Sequence, residues 1–194
     1  MSFPFFICGL PRSRTAWLSA VCNTAPHVMC YHEPTAWLPK WQDVVGLLKD
    51  SRGYIGAADH GLTVHLPDLL SRLDAHVLLV KRERAEVEAS MTAAGFGVHA
   101  GLFDLCEKVM RQCSCDPRVR WVRYADLDRM PAVMEALHWL MPGADLSAEK
   151  IAEMQRLNIQ VDAARVRREI ASVTPERLRA ALGGDVMDRL ERGA

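Results

Sequence analysis

A short segment near the N-terminus carries the residue types that bind an oxyanion. The apolar run Phe5-Phe-Ile-Cys8 gives way to Gly9-Leu-Pro-Arg-Ser-Arg-Thr15, and an apolar stretch that we expect to be helical follows. Backbone N–H groups at such a turn, together with a helix N-terminus, favour negative charge. Helix capping accounts for the hydroxyls, but two arginines at the positive end of a helix are unfavourable unless an anion is present. The segment therefore predicts an anion site. Its candidate residues are Gly9, Pro11, Arg12, Ser13, Arg14 and Thr15.

A second basic residue ends the clearest buried strand of the chain. The run His76-Val-Leu-Leu-Val80 leads into Lys81-Arg82, and Ser90 follows Arg82 by eight residues on a predicted helix. Taken alone, Arg82 and Ser90 are ordinary surface residues. Ligands of parallel sheets bind at the carboxyl ends of the strands, so we expect this pair to lie near the first segment and to close on one dianionic phosphate.

Strands and helices alternate along the chain, which favours an α/β fold with a parallel sheet covered on both faces. Without repeats or an obvious linker, the sequence predicts a single domain over 1–194, with an α/β core over 1–145 and a helical C-terminal segment over 146–194. The predicted strands are Phe5–Cys8, Val28–Tyr31, His76–Val80 and Arg120–Tyr124. The predicted helices are Thr15–Val21, Trp37–Lys49, Ala85–Ala94 and Pro131–Met141, with Leu178, Leu182 and Leu190 in later ones.

The composition excludes several classes of function. Among 194 residues, 24 Lys+Arg balance 24 Asp+Glu, so the chain lacks the basic excess of a general nucleic-acid binder or a polybasic membrane anchor. We find no apolar run of the ~20 residues that a membrane span needs, and no export signal. Six cysteines in a chain with this many core residues indicate reduced thiols, hence a cytoplasmic protein. Cys106, Cys113 and Cys115 lack the paired spacing of a structural zinc site, and we expect no metal.

The first segment resembles the 5′-phosphosulfate-binding loop of the PAPS-dependent sulfotransferases, which reads G-x-P-R-S-G-T. Arg82 and Ser90 match that family's second signature, a strand-ending arginine and a serine eight residues later that hold the 3′-phosphate of the nucleotide. The segment Val122-Arg-Tyr-Ala-Asp-Leu127 is similar to a later V-R-Y-E-D-L segment, in a structural role. The resemblance covers roughly residues 4–140.

This resemblance implies a three-layer, P-loop NTPase-like sandwich whose core binds a nucleotide. The co-substrate would be 3′-phosphoadenosine 5′-phosphosulfate (PAPS) and the product adenosine 3′,5′-bisphosphate (PAP). The chain departs from the family in three places. Arg14 replaces the loop glycine, Glu83-Arg84 replaces an Asp-Pro pair, and no R-K-G-x-x-G-D-W-K-like segment lies near the C-terminus.

Sulfuryl transfer resembles phosphoryl transfer, an in-line displacement in which positioning and charge stabilisation dominate. Arg12 suits the leaving phosphate, and no metal is required. The resemblance implies that Glu33, 21 residues after Arg12, is the base for the acceptor; His32 is an alternative and His60 a weaker one. The acceptor would be a hydroxyl or amine of a small molecule or glycan.

Two other readings stay open. One is a P-loop kinase or nucleotide hydrolase, although the G-x-x-x-x-G-K-[ST] pattern is absent. The other is a non-catalytic scaffold that binds a nucleotide. The sequence leaves the oligomeric state undetermined.

Overall fold

The computed structural model describes residues 2–49 and 53–157, and within them five parallel strands form one central sheet. The strands are β1 (Ser2–Gly9), β2 (Val28–His32), β3 (Gly53–Ala58), β4 (His76–Lys81) and β5 (Val119–Arg123). Their order across the sheet is β2-β3-β1-β4-β5. The central strand β1 therefore lies between β3 and β4, and both of its neighbours run parallel to it.

Helices cover both faces of this sheet. They are α1 (Thr15–Cys22), α2 (Gln42–Lys49), α3 (Leu66–Arg72), α4 (Arg84–Ala93), α5 (Ala100–Cys113), α6 (Met130–Leu140) and α7 (Ala148–Arg156). Short 3-10 turns at Pro34–Ala36, Gly61–His65 and Tyr124–Asp128 follow β2, β3 and β5. The predicted α/β fold with a central parallel sheet is confirmed.

The segment Phe5–Cys8 of strand β1 is continuously apolar because it is buried on both sides. Phe5 and Ile7 belong to one core with α1, α6 and α7, whereas Phe6 and Cys8 belong to a second core with α2, α3 and α5. All four side chains are fully buried. A strand between two helical layers requires this continuous apolar pattern.

The connections of β1 and β4 leave the sheet toward opposite faces. From β1 the chain enters α1 on one face and then forms β2, while from β4 it reaches α5 on the other face and then forms β5. Such a reversal opens a crevice between the carboxyl ends of the two strands, where ligands of open α/β sheets bind. The segment after β1 and Arg82 after β4 both lie at this point.

Three elements were missing from the sequence prediction. Strand β3 has the sequence Gly-Tyr-Ile-Gly-Ala-Ala, and its glycines and alanines do not form a pattern typical of a strand. Gly56 is required by packing, because a side chain there would collide with the Phe5 ring. Helices α3 and α5 were also not predicted. The helix predicted over 37–49 begins only at Gln42, because Pro39 disfavours helical backbone at the preceding residue.

Helix α7 lies in the predicted C-terminal segment. Residues 158–194 of that segment, including Leu178, Leu182 and Leu190, fall outside the described residues, so the division at 145 stays a prediction. No helix within 2–49 or 53–157 is long and apolar enough to cross a membrane.

Candidate anion-binding cleft

The exit of β1 packs closely against β4 and the turn that follows β3. Gly9 pairs with Val80, and a Cβ at Gly9 would lie 2.8 Å from the Val80 carbonyl oxygen, so a side chain there would collide with backbone. The buried Thr63 hydroxyl donates to the Gly9 carbonyl oxygen at 2.9 Å, and Thr63 Oγ1 accepts a hydrogen bond from the Gly9 N–H at 3.2 Å. The loop after Gly9 therefore starts from a fixed point.

That loop reverses direction through two arginines with positive φ. Arg12 has φ 63° and Arg14 has φ 61°, the left-handed region that costs a non-glycine residue about 1–2 kcal/mol. Arg14 occupies the place of the glycine in the loops that this segment resembles, which explains why glycine suits that place. Arg14 is also the N-cap of α1, and its carbonyl accepts the first helical hydrogen bond from Leu18 at 2.9 Å.

The N-terminus of α1 has no acidic side chain in its first turn and, among the residues that the structure describes, lies next to a buried hydroxyl without a partner. Within the described residues, the Arg14 side chain makes no capping hydrogen bond, and the first turn of α1 contains no acidic residue. The adjacent Ser13 is fully buried, and its Oγ has no hydrogen-bond partner in this part of the chain. Buried hydroxyls are normally hydrogen-bonded, so Ser13 Oγ is suited to donate to a bound oxyanion.

Arg12, Arg82 and Ser90 come together beside this helix. Arg12 Nε donates to Ser90 Oγ at 3.3 Å, and Arg82 Nη1 donates to the Arg12 carbonyl oxygen at 2.5 Å. Arg82 Nε also lies 3.5 Å from a carboxylate oxygen of Glu86, which is mostly exposed. The residues of the two separate sequence signatures thus meet at one place: Arg12 contacts Ser90 through its side chain and Arg82 through its carbonyl oxygen.

Tyr124 lies between two of the arginines. The guanidinium carbon of Arg82 is 4.1 Å from the centre of the Tyr124 ring, and that of Arg14 is 5.0 Å from it. Arg14 also donates to the carboxylate of Asp128 at 2.6 Å. Tyr124 belongs to a segment expected to be structural, and Asp128 was assigned no role from sequence, yet both line the same cleft.

At the end of β2, His32 and the following residue Glu33 bring acid–base groups to the cleft. Glu33 has φ 47°, and its N–H donates to the Ala58 carbonyl at 3.0 Å. Its Oε1 lies 3.2 Å from His60 Nδ1 and 3.6 Å from His32 Nε2. Burial raises the pKa of Glu33, but the hydrogen bond from His60 and the charges of both histidines outweigh it and bring that pKa to about 2.

The cleft has a volume of about 340 Å³, within the range of small-molecule sites. Of the residues predicted from sequence, it brings together Arg12, Arg14, Thr15, Arg82, Ser90, His32 and Glu33. Gly9 at the end of β1, and Pro11 and Ser13 in the loop after it, are not part of this lining, and His60 contacts Glu33 from outside it. Lining residues that were not predicted as site residues are Ala16, Trp17, Tyr124, Asp128, Gln155 and Leu157. Among the described residues, no group of three His, Cys, Asp or Glu side chains is placed to hold a metal ion.

The fold is similar to that of a solved enzyme structure. Mouse sulfotransferase SULT7A1 complexed with PAP superposes with a TM-score of 0.59, over 98% of this chain and 87% of that chain. The chain shares the fold of a sulfotransferase. The sequence identity is 14%, so the similarity establishes the fold alone. No family model matches the chain, and no curated protein matches it in sequence.

Proposed function

We propose that this protein transfers a sulfuryl group from PAPS to a hydroxyl or amine of a small molecule or glycan. The observation that carries the proposal is the meeting of Arg12, Arg82 and Ser90 at the exits of β1 and β4. Those three residues come from the two signatures that, in the sulfotransferases, hold the two phosphate ends of the nucleotide. The similarity of the fold to a PAP-complexed sulfotransferase supports the same assignment.

The two ends of the nucleotide would take separate groups. Arg82 and Ser90 would hold the 3′-phosphate, a dianion suited to a guanidinium fork. The 5′-phosphosulfate would lie at the N-terminus of α1, where Ser13, Thr15 and backbone N–H groups donate to it. Arg12, which contacts Ser90 and belongs to the loop, would stabilise charge on the leaving 5′-phosphate.

In the reaction, the acceptor oxygen or nitrogen forms a bond to sulfur while the bond from sulfur to the bridging oxygen of the 5′-phosphate breaks. The acceptor proton passes to a base, and PAP leaves with the bond's electron pair. Glu33 is our proposed base. Its low pKa keeps it ionised, and a loose transition state demands an oriented proton acceptor more than a strong one, because bonding to the acceptor is little advanced. His32 also lines the cleft and remains the alternative.

A binding titration tests the nucleotide. PAP, ATP with magnesium and GTP are added separately while thermal unfolding is followed. We expect PAP to raise the melting temperature, and Arg12→Ala or Arg82→Ala to weaken its binding roughly 10- to 100-fold, the value of a charge-assisted hydrogen bond. Arg111→Ala is the matched control, since Arg111 is mostly exposed on α5 and lies outside the cleft.

Other outcomes of these experiments would favour a different function or a different base. Preference for ATP with magnesium would favour a kinase or nucleotide hydrolase. Binding of PAP without transfer from labelled PAPS to any screened acceptor would favour a nucleotide-binding scaffold. Transfer that persists in Glu33→Gln but fails in His32→Gln would move the role of base to His32. A cytoplasmic location, expected from the cysteine content, stays a prediction.

A further inference from the structure

The turn that follows Glu33 is tied to the loop that follows β3. Asp59 is fully buried, and its carboxylate accepts hydrogen bonds from the Thr35 N–H at 3.0 Å, the Thr35 hydroxyl at 2.6 Å and the Gly61 N–H at 2.7 Å. A Cβ at Gly61 would lie 2.9 Å from Thr35 Oγ1, so this junction is tightly packed. The two segments are therefore held in one arrangement.

His60 lies within this junction, between Asp59 and Gly61, and its Nδ1 is 3.2 Å from Glu33 Oε1. Glu33 itself has left-handed backbone, a strained conformation that persists where the surroundings fix it. Glu33 lines the cleft, whereas His60 does not. Among the described residues, His60 is therefore linked to the cleft by its contact with the Glu33 carboxylate and does not line the cleft itself.

We propose that His60 is a positioning residue, which as an imidazolium holds the Glu33 carboxylate in place for the acceptor. The inference rests on the proposed sulfuryl transfer and assigns His60 a role other than that of base. The Asp59 junction fixes the backbone next to His60, and the imidazole in turn contacts the Glu33 carboxylate. His32 Nε2 lies 3.6 Å from the same oxygen and faces the cleft with Glu33.

The charges around His60 give the proposal a pH dependence. Burial lowers the pKa of His60, but the hydrogen bond and charge of Glu33 and the charge of Asp59 outweigh it, and the pKa is raised. Glu33 and Asp59 are carboxylates, and His32 is the other titratable group at Glu33 Oε1. The ion pair therefore exists below the raised pKa of His60 and above the pKa of Glu33, and it is lost as pH rises through the former.

Two variants separate charge from hydrogen bonding. His60→Ala removes both, whereas His60→Asn keeps a donor near the position of Nδ1 without a charge. We expect the kcat for sulfuryl transfer to fall up to about 100-fold in His60→Ala, the effect of misplacing a reacting group by 1 Å, with the PAP dissociation constant unchanged. His60→Asn should recover part of kcat and should lack the alkaline decline of the wild type. His138→Asn, at an exposed position of α6, should match the wild type.

An NMR titration of the Glu33 carboxyl group detects the ion pair independently of any measurement of enzyme activity. The pKa of Glu33, about 2 in the wild type, should rise toward or above its ordinary value of 4.5 in His60→Ala. An unchanged Glu33 titration, or an active wild type whose kcat and pH profile survive His60→Ala, overturns the inference alone. A wild type that neither binds PAP nor transfers sulfate overturns the proposed function and the positioning role with it, while the titration still decides whether the pair forms.

Discussion

The Arg14 guanidinium donates to the Asp128 carboxylate at 2.6 Å, across 114 residues of sequence. The backbone of Arg14 has a φ of 61°, a conformation that favours glycine over any residue with a side chain. The ion pair and the stacking on Tyr124, at 5.0 Å, offset part of that backbone cost. Arg14 is thereby held at the rim of the cleft by a carboxylate, the kind of charge that a bound sulfate or phosphate group would supply.

Removing the Asp128 charge should free Arg14 for a ligand. We expect Asp128→Asn to tighten PAP binding up to about fivefold, since an exposed ion pair is worth up to about 1 kcal/mol. Calorimetric titration with PAP measures the change. Asp104→Asn is the control, because Asp104 pairs with Arg84 at the surface and should leave the affinity unaltered. Weaker binding in Asp128→Asn would show that the carboxylate orients Arg14 for the ligand and does not compete with it.

Backbone conformation at Arg14 predicts that glycine is more stable than alanine there. Both Arg14→Gly and Arg14→Ala lose the side-chain contacts, but glycine also relieves the left-handed strain, so we expect it to be about 1 kcal/mol more stable in urea unfolding. Lys108 is exposed within the helix α5, and it provides a control at which the order of stability of glycine and alanine should be reversed. Lys108→Gly should be less stable than Lys108→Ala, by about 1 kcal/mol. Equal stability of the two Arg14 variants would argue against a strained loop.

The face of the Tyr124 ring contacts the Arg82 guanidinium, and we expect this contact to contribute to PAP binding. Tyr124→Phe keeps the ring next to Arg82, at 4.1 Å, and should bind PAP as the wild type does. Tyr124→Leu removes the ring, and we expect PAP affinity to fall roughly three- to tenfold, in line with about 1 kcal/mol for a cation–π contact. Fluorescence or calorimetric titration of both variants measures this. A loss of affinity in Tyr124→Phe as well would assign the role to the hydroxyl.

Acid should remove the contribution of Glu33 to stability. Its pKa falls from 4.5 in the unfolded chain to about 2 in the folded one, so the contribution is present above pH 4.5 and is lost as pH falls toward 2. The gap in unfolding free energy between wild type and Glu33→Gln should therefore narrow over that range. Urea unfolding at several pH values tests it. A gap that stays constant down to pH 2 would contradict the depressed pKa.

Local patterns predicted most of the residues that line the candidate cleft, because Gly9 to Thr15 and the pair Arg82 and Ser90 are short sequence features next to buried strands. The positions of Tyr124 and Asp128 were not predictable, since their contacts with Arg14 depend on how β5 packs beside β4. Strand β3 was missed because its alanines and glycines serve close packing and carry no alternating pattern. His60 was named as a base candidate, but its place behind Glu33 follows from the Asp59 junction, which no short sequence feature reveals.

The cluster of Arg12, Arg14 and Arg82 belongs to a protein with zero formal net charge, and this has a consequence for the kinetics of encounter. Because the protein has no net positive charge, the electrostatic attraction between a nucleotide anion and the three guanidinium groups extends only about one Debye length, 8–10 Å at physiological salt. The association rate should therefore depend only weakly on ionic strength, while the dissociation rate carries most of the effect of these arginines. On the proposed function, the cleft would bind anions that reach its mouth by diffusion, and the rest of the surface would attract few of them.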